Sequence, residues 1–181
     1  MKKEKPWELM RTQLLFGHVG RFSKQKNQSF LIDIFNEYQK NNKSILVLVG
    51  TGELEQEIRR KIEEYKLMDR VKMLGNQMDV FKWYSAFDIL LFPSLYEGLS
   101  LVLIEAQCNG LKVVTSSTID RKTDITGNLS FVELNESPVK WAEVVEKTDM
   151  KRYDVCEKIS KSGYNVKEIS KKMMDIYLSC L

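Results

Sequence analysis

The feature of this sequence that most constrains its fold is a regular alternation of short apolar runs with longer amphipathic segments. Residues 44–50, SILVLVG, form the clearest apolar run, rich in β-branched residues and closed by a glycine, as is typical of a buried strand. Similar runs occur at 14–20, 70–75, 88–94, 111–117 and, more weakly, 128–134. Between and after them, helical periodicity predicts helices over 27–40, 53–67, 79–87, 100–109, 137–148, 150–162 and 166–181.

Strands that alternate with helices of this length indicate βαβ units and a parallel sheet with helices on both faces. With 181 residues, the chain is long enough for one domain with a buried core. The sequence therefore predicts a single α/β domain with a doubly wound parallel sheet. Ligands of such sheets bind beyond the carboxyl ends of the strands. The loops predicted at this edge of the sheet are 20–27, 50–53, 75–79, 94–100 and 116–127.

Composition excludes several other classes of protein. A hydrophobic share of 43% and a charged share of 29% are those of a soluble globular domain. The net charge of +3 comes from lysines and arginines mixed with glutamates, which indicates solvated helix faces and not a nucleic-acid-binding stripe. Three scattered cysteines, no apolar leader and no apolar membrane-length window favour the cytoplasm. With one histidine and no Asp-x-Asp pair, no metal site is expected.

Residues 94–101, SLYEGLSL, join a predicted strand to a predicted helix at the ligand edge. Gly98 allows a ligand to approach the backbone closely. The N–H groups of Leu99, Ser100 and Leu101 open the helix, where unpaired donors and the helix dipole favour a phosphate. The alternative is purely structural, with Ser100 as helix cap and Gly98 as turn residue. Taken alone, this segment leaves both interpretations open.

Glu97 and Glu105 lie eight positions apart, on either side of an almost wholly apolar run. At about 1.5 Å of rise per residue, their backbones are roughly 10 Å apart. That is at or beyond the ~5–9.5 Å that separates two carboxylates acting on one glycosidic bond. The spacing suits the two ends of one elongated ligand, each carboxylate accepting hydrogen bonds from a diol. The alternative for Glu105 is a solvent-facing side chain or an ion pair.

Arg21 and Lys26 follow the first strand on a loop at the same edge. Two cations there are suited to a diphosphate, and the alternative is a solvated basic loop. His18 is predicted to be a core histidine instead of a catalytic base. Cys108 is predicted to pack in the core. Residues 50–52, GTG, lack the third glycine of a dinucleotide fingerprint.

Four segments together resemble one family: GHVGRFSKQKN, LVLVGTGELEQEI, RVKMLGNQMDV and FPSLYEGLSLVLIEAQCNGLKVVTS. They are similar to the C-terminal domain of retaining glycosyltransferases with the GT-B fold, in family four, also called glycosyl transferases group one. The resemblance runs from about residue 15 to residue 148, and Glu97 with Glu105 matches the family's signature of paired glutamates. The segment TIDRKTDITGNLSFVEL replaces the glycine-rich, Pro-Glu-containing segment of many members. This variant resembles the branch of bacterial exopolysaccharide and capsule transferases.

The resemblance implies a domain that binds a nucleotide-diphosphate sugar, with a UDP-sugar favoured and no cofactor required. Arg21 and Lys26 would hold the diphosphate and stabilise the leaving group. Glu97 would bind the donor sugar, so these three residues are the predicted catalytic ones. Glu105 would hold the ribose diol. The other implied contacts are Gly20 beside the donor, Leu74, Gly75, Asn76 and Gln77 at the base, and Gly98, Leu99, Ser100 and Leu101 at the phosphates.

The same resemblance implies a division of the chain into three parts. Residues 1–13 would be a linker, residues 14–165 a Rossmann-like nucleotide-sugar-binding domain, and residues 166–181 a helix crossing to an N-terminal acceptor domain. The parent would transfer a hexose-type sugar, with retention, to a polysaccharide or lipid-linked acceptor. It would be cytoplasmic and peripheral at the inner membrane face, and this chain alone would be inactive.

Two alternatives stay open. A nucleotide-sugar epimerase on the same fold would need acid and base residues in its cleft. A non-catalytic subunit of a split glycosyltransferase would be indicated by a neighbouring gene for an acceptor domain.

Overall fold

One parallel sheet organises the protein, whose computed structural model describes residues 13–180. The predicted linker at 1–13 therefore lies outside the described residues, apart from Gln13. The sheet has six strands in the order β3-β2-β1-β4-β5-β6, and the predicted Rossmann-like doubly wound class is confirmed. The strands are β1 (Leu14–Val19), β2 (Ser44–Val49), β3 (Val71–Met73), β4 (Ile89–Phe92), β5 (Lys112–Ser116) and β6 (Leu129–Val132).

Helices follow the strands in the order that the periodicity predicts. They are α1 (Gln28–Gln39), α2 (Glu55–Glu64), α3 (Val80–Ala86), α4 (Leu101–Cys108), α5 (Pro138–Lys147), α6 (Cys156–Lys161) and α7 (Val166–Ser179). Two short 3-10 turns lie at Lys24–Lys26 and Arg121–Thr123. The weak apolar run at 128–134 forms the edge strand β6.

Two apolar clusters lie on opposite faces of the sheet. Side chains alternate between faces along a strand, and in β2 Leu46 and Leu48 belong to one cluster while Val47 and Val49 belong to the other. The first cluster includes residues of α1, α2 and α5, and the second includes residues of α3 and α4. Both sheet faces are thus covered, which leaves the strand ends and their loops as the accessible edge.

The helix predicted over 150–162 is wrong in its first half, because α6 begins only at Cys156. Two aspartates fold this stretch into turns: Asp149 Oδ1 accepts the Lys151 N–H and Asp154 Oδ1 accepts the Cys156 N–H, each at 2.9 Å. Such local bonds compete with helix formation. In addition, the Arg152 guanidinium donates to backbone carbonyls of two distant segments, the end of α3 at Tyr84 and Phe87, and the end of α4 at Asn109.

The prediction that Cys108 packs in the core is also wrong, because its side chain is exposed. The buried face of α4 ends at Gln107, and the next residue is turned about 100° away from it. Gln107 is buried although polar because its amide donates to Thr123 O (2.8 Å) and accepts from Ile125 N–H (2.9 Å). A polar side chain with this many partners can replace an apolar one in the core.

Helix α7 contributes no buried residue to the domain. Its Met173, Ile176 and Tyr177 side chains are exposed. Within residues 13–180, no helix has the length and apolar character needed to cross a membrane.

Candidate functional site

The loops after β1 and β4 meet where the strand order reverses. β1 and β4 are paired over only two residue pairs, so the strands diverge towards their carboxyl ends. The two loops are joined by bonds of Gln25, which accepts from Leu95 N–H (2.8 Å) and donates to Tyr96 O (3.0 Å). A third bond runs from Asn27 Nδ2 to Pro93 O (3.1 Å). These contacts hold the predicted cation loop against the predicted glutamate loop.

Lys26 and Glu97 form an ion pair across these loops. Lys26 Nζ lies 2.7 Å from Glu97 Oε1 and 4.6 Å from the centre of the Phe92 ring. The two side chains are only 15% and 8% exposed. Both charges are therefore largely removed from water, so each depends on the other for compensation.

Arg21 is also paired with a carboxylate, but in solvent. Its Nε donates to Glu53 Oε2 at 2.9 Å, and the side chains are 74% and 52% exposed. The pKa of the Glu53 carboxyl is lowered, first by its own backbone N–H and then by Arg21. An exposed pair of this kind is worth little, so the Arg21 guanidinium is available to a stronger anionic partner.

Glu105 has a partner that the sequence does not indicate. Its Oε2 accepts a hydrogen bond of 2.9 Å from the hydroxyl of Tyr84, a buried residue of α3. Burial and the Glu105 charge raise the pKa of Tyr84, so the phenol stays a donor. Among residues 13–180, the half-buried Glu105 forms no ion pair, and its partner is the Tyr84 hydroxyl. The hydrogen bond from Tyr84 on α3 thus orients the Glu105 carboxylate.

The start of α4 has no side-chain cap. Ser100 occupies the N-cap position, yet its hydroxyl makes no capping bond. It is buried, and its Oγ has no hydrogen-bond partner among residues 13–180. Gly98 faces open space, and Leu99 and Leu101 are exposed. Ser100 thus occupies the cap position without the capping hydrogen bond, and the donors of the first helical turn lie at an accessible surface.

A cleft of about 540 Å³ lies between the loops after β1, β2 and β3, beside the Lys26–Glu97 ion pair. Four of the predicted site residues line it, Gly20, Arg21, Asn76 and Gln77. A Cβ placed on Gly20 would lie 3.3 Å from Lys26 Cε, so the Lys26 side chain passes directly beside the cleft wall. The other lining residues were not among the predicted site residues, although three of them lie in the loop 50–53 at the predicted ligand edge; they are Val19, Val49, Gly50, Thr51, Gly52 and Val80.

The remaining predicted residues at the base position shape the loop after β3. Leu74 packs against the core on one sheet face, and its carbonyl accepts a bond of 2.9 Å from Gln77 Nε2. Gly75 accepts a bond of 2.8 Å from Gly50 N–H. Asn76 Oδ1 accepts a bond of 3.3 Å from Thr51 Oγ1. Loops after β2 and β3 are thus tied together along one wall of the cleft.

His18 is a buried core histidine, as predicted. Its Nδ1 lies 2.9 Å from Leu91 O, and its Nε2 lies 3.1 Å from Gln28 Nε2. Burial lowers the pKa of His18 from 6.5 to about 4; the bond to Leu91 opposes this shift, and the nearby Lys26 charge adds to it. A carbonyl can only accept, so the neutral ring carries its proton on Nδ1 and accepts at Nε2.

We expect the free energy of unfolding to fall by about 2 kcal/mol between pH 7 and pH 5. The unfolded chain takes up the His18 proton near pH 6.5 and the folded chain only near pH 4. Stability from the neutral ring is therefore complete above pH 6.5 and is lost as the pH falls. Urea denaturation at a series of pH values measures this, and it is well suited because the chain has one histidine. A His18→Gln variant with the same pH slope would contradict the assignment.

Arg21 lines the cleft, and the Lys26–Glu97 pair lies next to its Gly20 wall. Gly98 and Leu99, at the start of α4, line a separate cavity of about 240 Å³. Such a set of cations and carboxylates binds an anion flanked by hydroxyl groups. Among residues 13–180, no three His, Cys, Asp or Glu side chains are grouped as metal ligands.

The sequence matches a known family of glycosyltransferases. The family described as Glycosyl transferases group 1 matches residues 2–166, and this chain belongs to that family. EpsF of Bacillus subtilis, named as a glycosyltransferase, is 32% identical over 91% of this chain and 44% of its own length. The UDP-Gal:alpha-D-GlcNAc-diphosphoundecaprenol alpha-1,3-galactosyltransferase of Escherichia coli is 30% identical over 97% of this chain and 48% of its own. The chain thus spans about half the length of these relatives.

Solved structures show the same fold. Alr3699/HepE of Anabaena, in complex with UDP, superposes with a TM-score of 0.75 at 22% identity, over 94% of this chain and 50% of its own. The C-terminal domain of LpcC, a glycosyl transferase group 1 family protein of Francisella tularensis, has a TM-score of 0.64 at 21% identity, over 84% and 83%. The predicted family and GT-B fold are confirmed, and the membership argues against the epimerase alternative.

Proposed function

We propose that this chain is the donor domain of a retaining glycosyltransferase that acts on a polysaccharide or lipid-linked acceptor. The observation that carries the proposal is the nearly buried pair of Lys26 and Glu97. It joins the β1 loop to the start of α4, beside the cleft. A cation and a carboxylate there offer a donor to a phosphate oxygen and an acceptor to sugar hydroxyls. Family membership supports the same class of reaction.

In this proposal, Arg21 and Lys26 bind the diphosphate, Glu97 the donor sugar and Glu105 the ribose diol. Arg21 lines the cleft, and Glu105 is oriented by Tyr84. Both observations support these roles. The remaining proposed contacts are Gly20 and Gly98 as points of close approach, the N–H groups of Leu99, Ser100 and Leu101 at the phosphates, and Leu74, Gly75, Asn76 and Gln77 along the base.

The proposed reaction transfers a hexose-type sugar by attack of the acceptor on the face from which the nucleotide leaves. Negative charge then builds up on the departing diphosphate. Arg21 and Lys26 would stabilise that charge more strongly in the transition state than in the bound donor. Because two side-chain cations neutralise the leaving group, the proposal requires no metal or other cofactor.

The donor is proposed to be a UDP-sugar and the parent a cytoplasmic enzyme, peripheral at the inner membrane face. The name of the Escherichia coli relative, with its UDP-Gal donor and undecaprenol-linked acceptor, supports both points. UDP bound to Alr3699/HepE supports the nucleotide.

We further propose three parts: a linker at 1–13, the donor domain at 14–165, and a helix at 166–181 that crosses to an N-terminal acceptor domain. The exposed apolar residues of α7 support this role for the helix. Relatives about twice as long as this chain are consistent with an acceptor half in the same polypeptide. They are equally consistent with a split enzyme, for which a separate acceptor subunit would be required.

The Arg21→Met variant is expected to bind UDP at least about tenfold more weakly than the wild type. Hydrogen bonds to a charged group are worth about 1.5–3 kcal/mol, and about 1.4 kcal/mol is tenfold in affinity. Calorimetric titration of UDP, GDP and ADP measures the affinity and identifies the base.

The matched control is Arg59→Met, which breaks another exposed arginine–carboxylate pair of 2.9 Å, on α2 and outside the cleft. It should bind UDP as the wild type does. If no nucleoside diphosphate binds the wild type, or if both variants lose affinity equally, the proposed function is wrong.

A further inference from the structure

A chain of hydrogen bonds runs from β4 through two buried side chains to the backbone of Arg21. His18 Nδ1–H donates to Leu91 O at 2.9 Å. Gln28 Nε2 donates to His18 Nε2 at 3.1 Å and to Arg21 O at 2.8 Å. Gln28 is the first residue of α1 and is 1% exposed. The chain spans the divergence between β1 and β4, where the proposed site lies.

The orientation of the Gln28 amide follows from its neighbours. Both Arg21 O and the Nε2 of neutral His18 can only accept hydrogen bonds, so the NH2 group must face them. The opposite oxygen of Gln28 has no partner among residues 13–180. The Gln28 side chain therefore acts only as a hydrogen-bond donor, with one N–H group bonded to His18 Nε2 and the other to Arg21 O.

The peptide group between Arg21 and Phe22 is held at both ends. Gln28 donates to its carbonyl, and its N–H donates to Thr51 O at 3.0 Å. A peptide group is planar, so two bonds on opposite edges fix its rotation. This rotation is the ψ angle of Arg21, which sets the direction of its Cα–Cβ bond, and the side-chain rotamers then place the guanidinium. The Phe22 side chain is fully buried and anchors the next residue.

We propose that Gln28 is a positioning residue for the diphosphate contact: oriented by His18, it fixes the peptide after Arg21 and so directs the Arg21 guanidinium towards the cleft. The inference rests on the proposed function of Arg21. Arg21 itself is exposed and its pair with Glu53 is weak. The backbone of Arg21, which Gln28 holds, is therefore the fixed end from which its side chain reaches the cleft.

The test is titration of UDP and UMP into the wild type, Gln28→Leu, Arg21→Met and the double variant. Gln28→Leu should weaken UDP about tenfold and UMP less than about twofold, because only the contacts of the second phosphate are lost. The double variant should bind UDP no more weakly than Arg21→Met, since a residue that acts through Arg21 has nothing left to position. Gln28→Met, a more flexible apolar replacement, provides a second variant with the same expected result.

Gln107→Leu is the matched control. Gln107 is also a fully buried glutamine with several backbone partners, but it orders residues 123–126. The Gln107→Leu variant should have a lower melting temperature than the wild type but the same ratio of UDP affinity to UMP affinity.

If the wild type binds UDP and both Gln28 variants bind it with the same affinity, the inference is wrong but the proposed function is not affected. Equal losses for UDP and UMP, or losses that multiply in the double variant, would overturn it as well. Absence of nucleotide binding to the wild type would overturn the proposed function and the inference together.

Discussion

The Lys26→Met variant is expected to lower the free energy of unfolding by about 3–5 kcal/mol. Methionine keeps the length of the lysine stem but removes its charge. Glu97 then stays 8% exposed, with no cation to offset the cost of taking a carboxylate out of water. Urea denaturation, compared at equal slope, measures the loss.

The double variant Lys26→Met/Glu97→Met should recover most of that stability, because replacing both partners of a buried pair by apolar residues of similar volume is often close to neutral. Lys161→Met is the control. It breaks a pair of 2.6 Å with Glu157, but these side chains are 75% and 82% exposed, so the loss should stay below about 1 kcal/mol. Equal losses in Lys26→Met and Lys161→Met would contradict the view that burial makes the Lys26–Glu97 pair essential.

The strands and most helices could be predicted because their signal is local. Buried parallel strands are continuous apolar runs and covering helices have an apolar stripe. Both patterns can be recognised within a short window. The segment at 150–155 fails for the opposite reason: its helical pattern is overruled by Arg152, which bonds to carbonyls more than 40 residues away.

The candidate site divides in the same way. Glu97 and Arg21 could be selected because strand ends and unusual charged residues are visible in the sequence. Tyr84 and Gln28 could not, since their importance depends on which atoms meet in space. A buried tyrosine on an amphipathic helix has the pattern of ordinary core. A glutamine after a loop has the pattern of ordinary surface.

One missed feature did have a signal in the sequence. The two glycines of GTG at 50–52 do not fit a dinucleotide fingerprint, but glycines also occur where another backbone passes close by. In the structure, the backbone of the β1 loop crosses there. A Cβ on Gly50 would overlap the carbonyl oxygen of Gly20, and a Cβ on Gly52 would overlap that of Phe22. These glycines let two site loops pack backbone against backbone.

Gly50→Ala is accordingly expected to destabilise the protein by about 3 kcal/mol or more and to weaken UDP binding. Two effects add. Gly50 has φ +131°, a conformation that costs an L-residue about 1–3 kcal/mol. The new methyl group also displaces the backbone of Gly20, and with it the neighbouring Arg21 on the cleft wall. Urea denaturation measures the first consequence and UDP titration the second.

Two other glycines separate these effects. Gly163 has φ +81° with open space around it, so Gly163→Ala reports the backbone strain alone and should leave UDP binding intact. Gly52 has no positive φ but meets Phe22 O, so Gly52→Ala reports the steric conflict alone and should disturb the site. If Gly50→Ala loses no more stability than Gly163→Ala and binds UDP normally, the crossing of the β1 and β2 loops does not maintain the cleft. If instead its stability loss approaches the sum of the other two and UDP binding is weakened in Gly50→Ala and Gly52→Ala but not in Gly163→Ala, close backbone packing at Gly50 and Gly52 is what holds Arg21 beside the cleft.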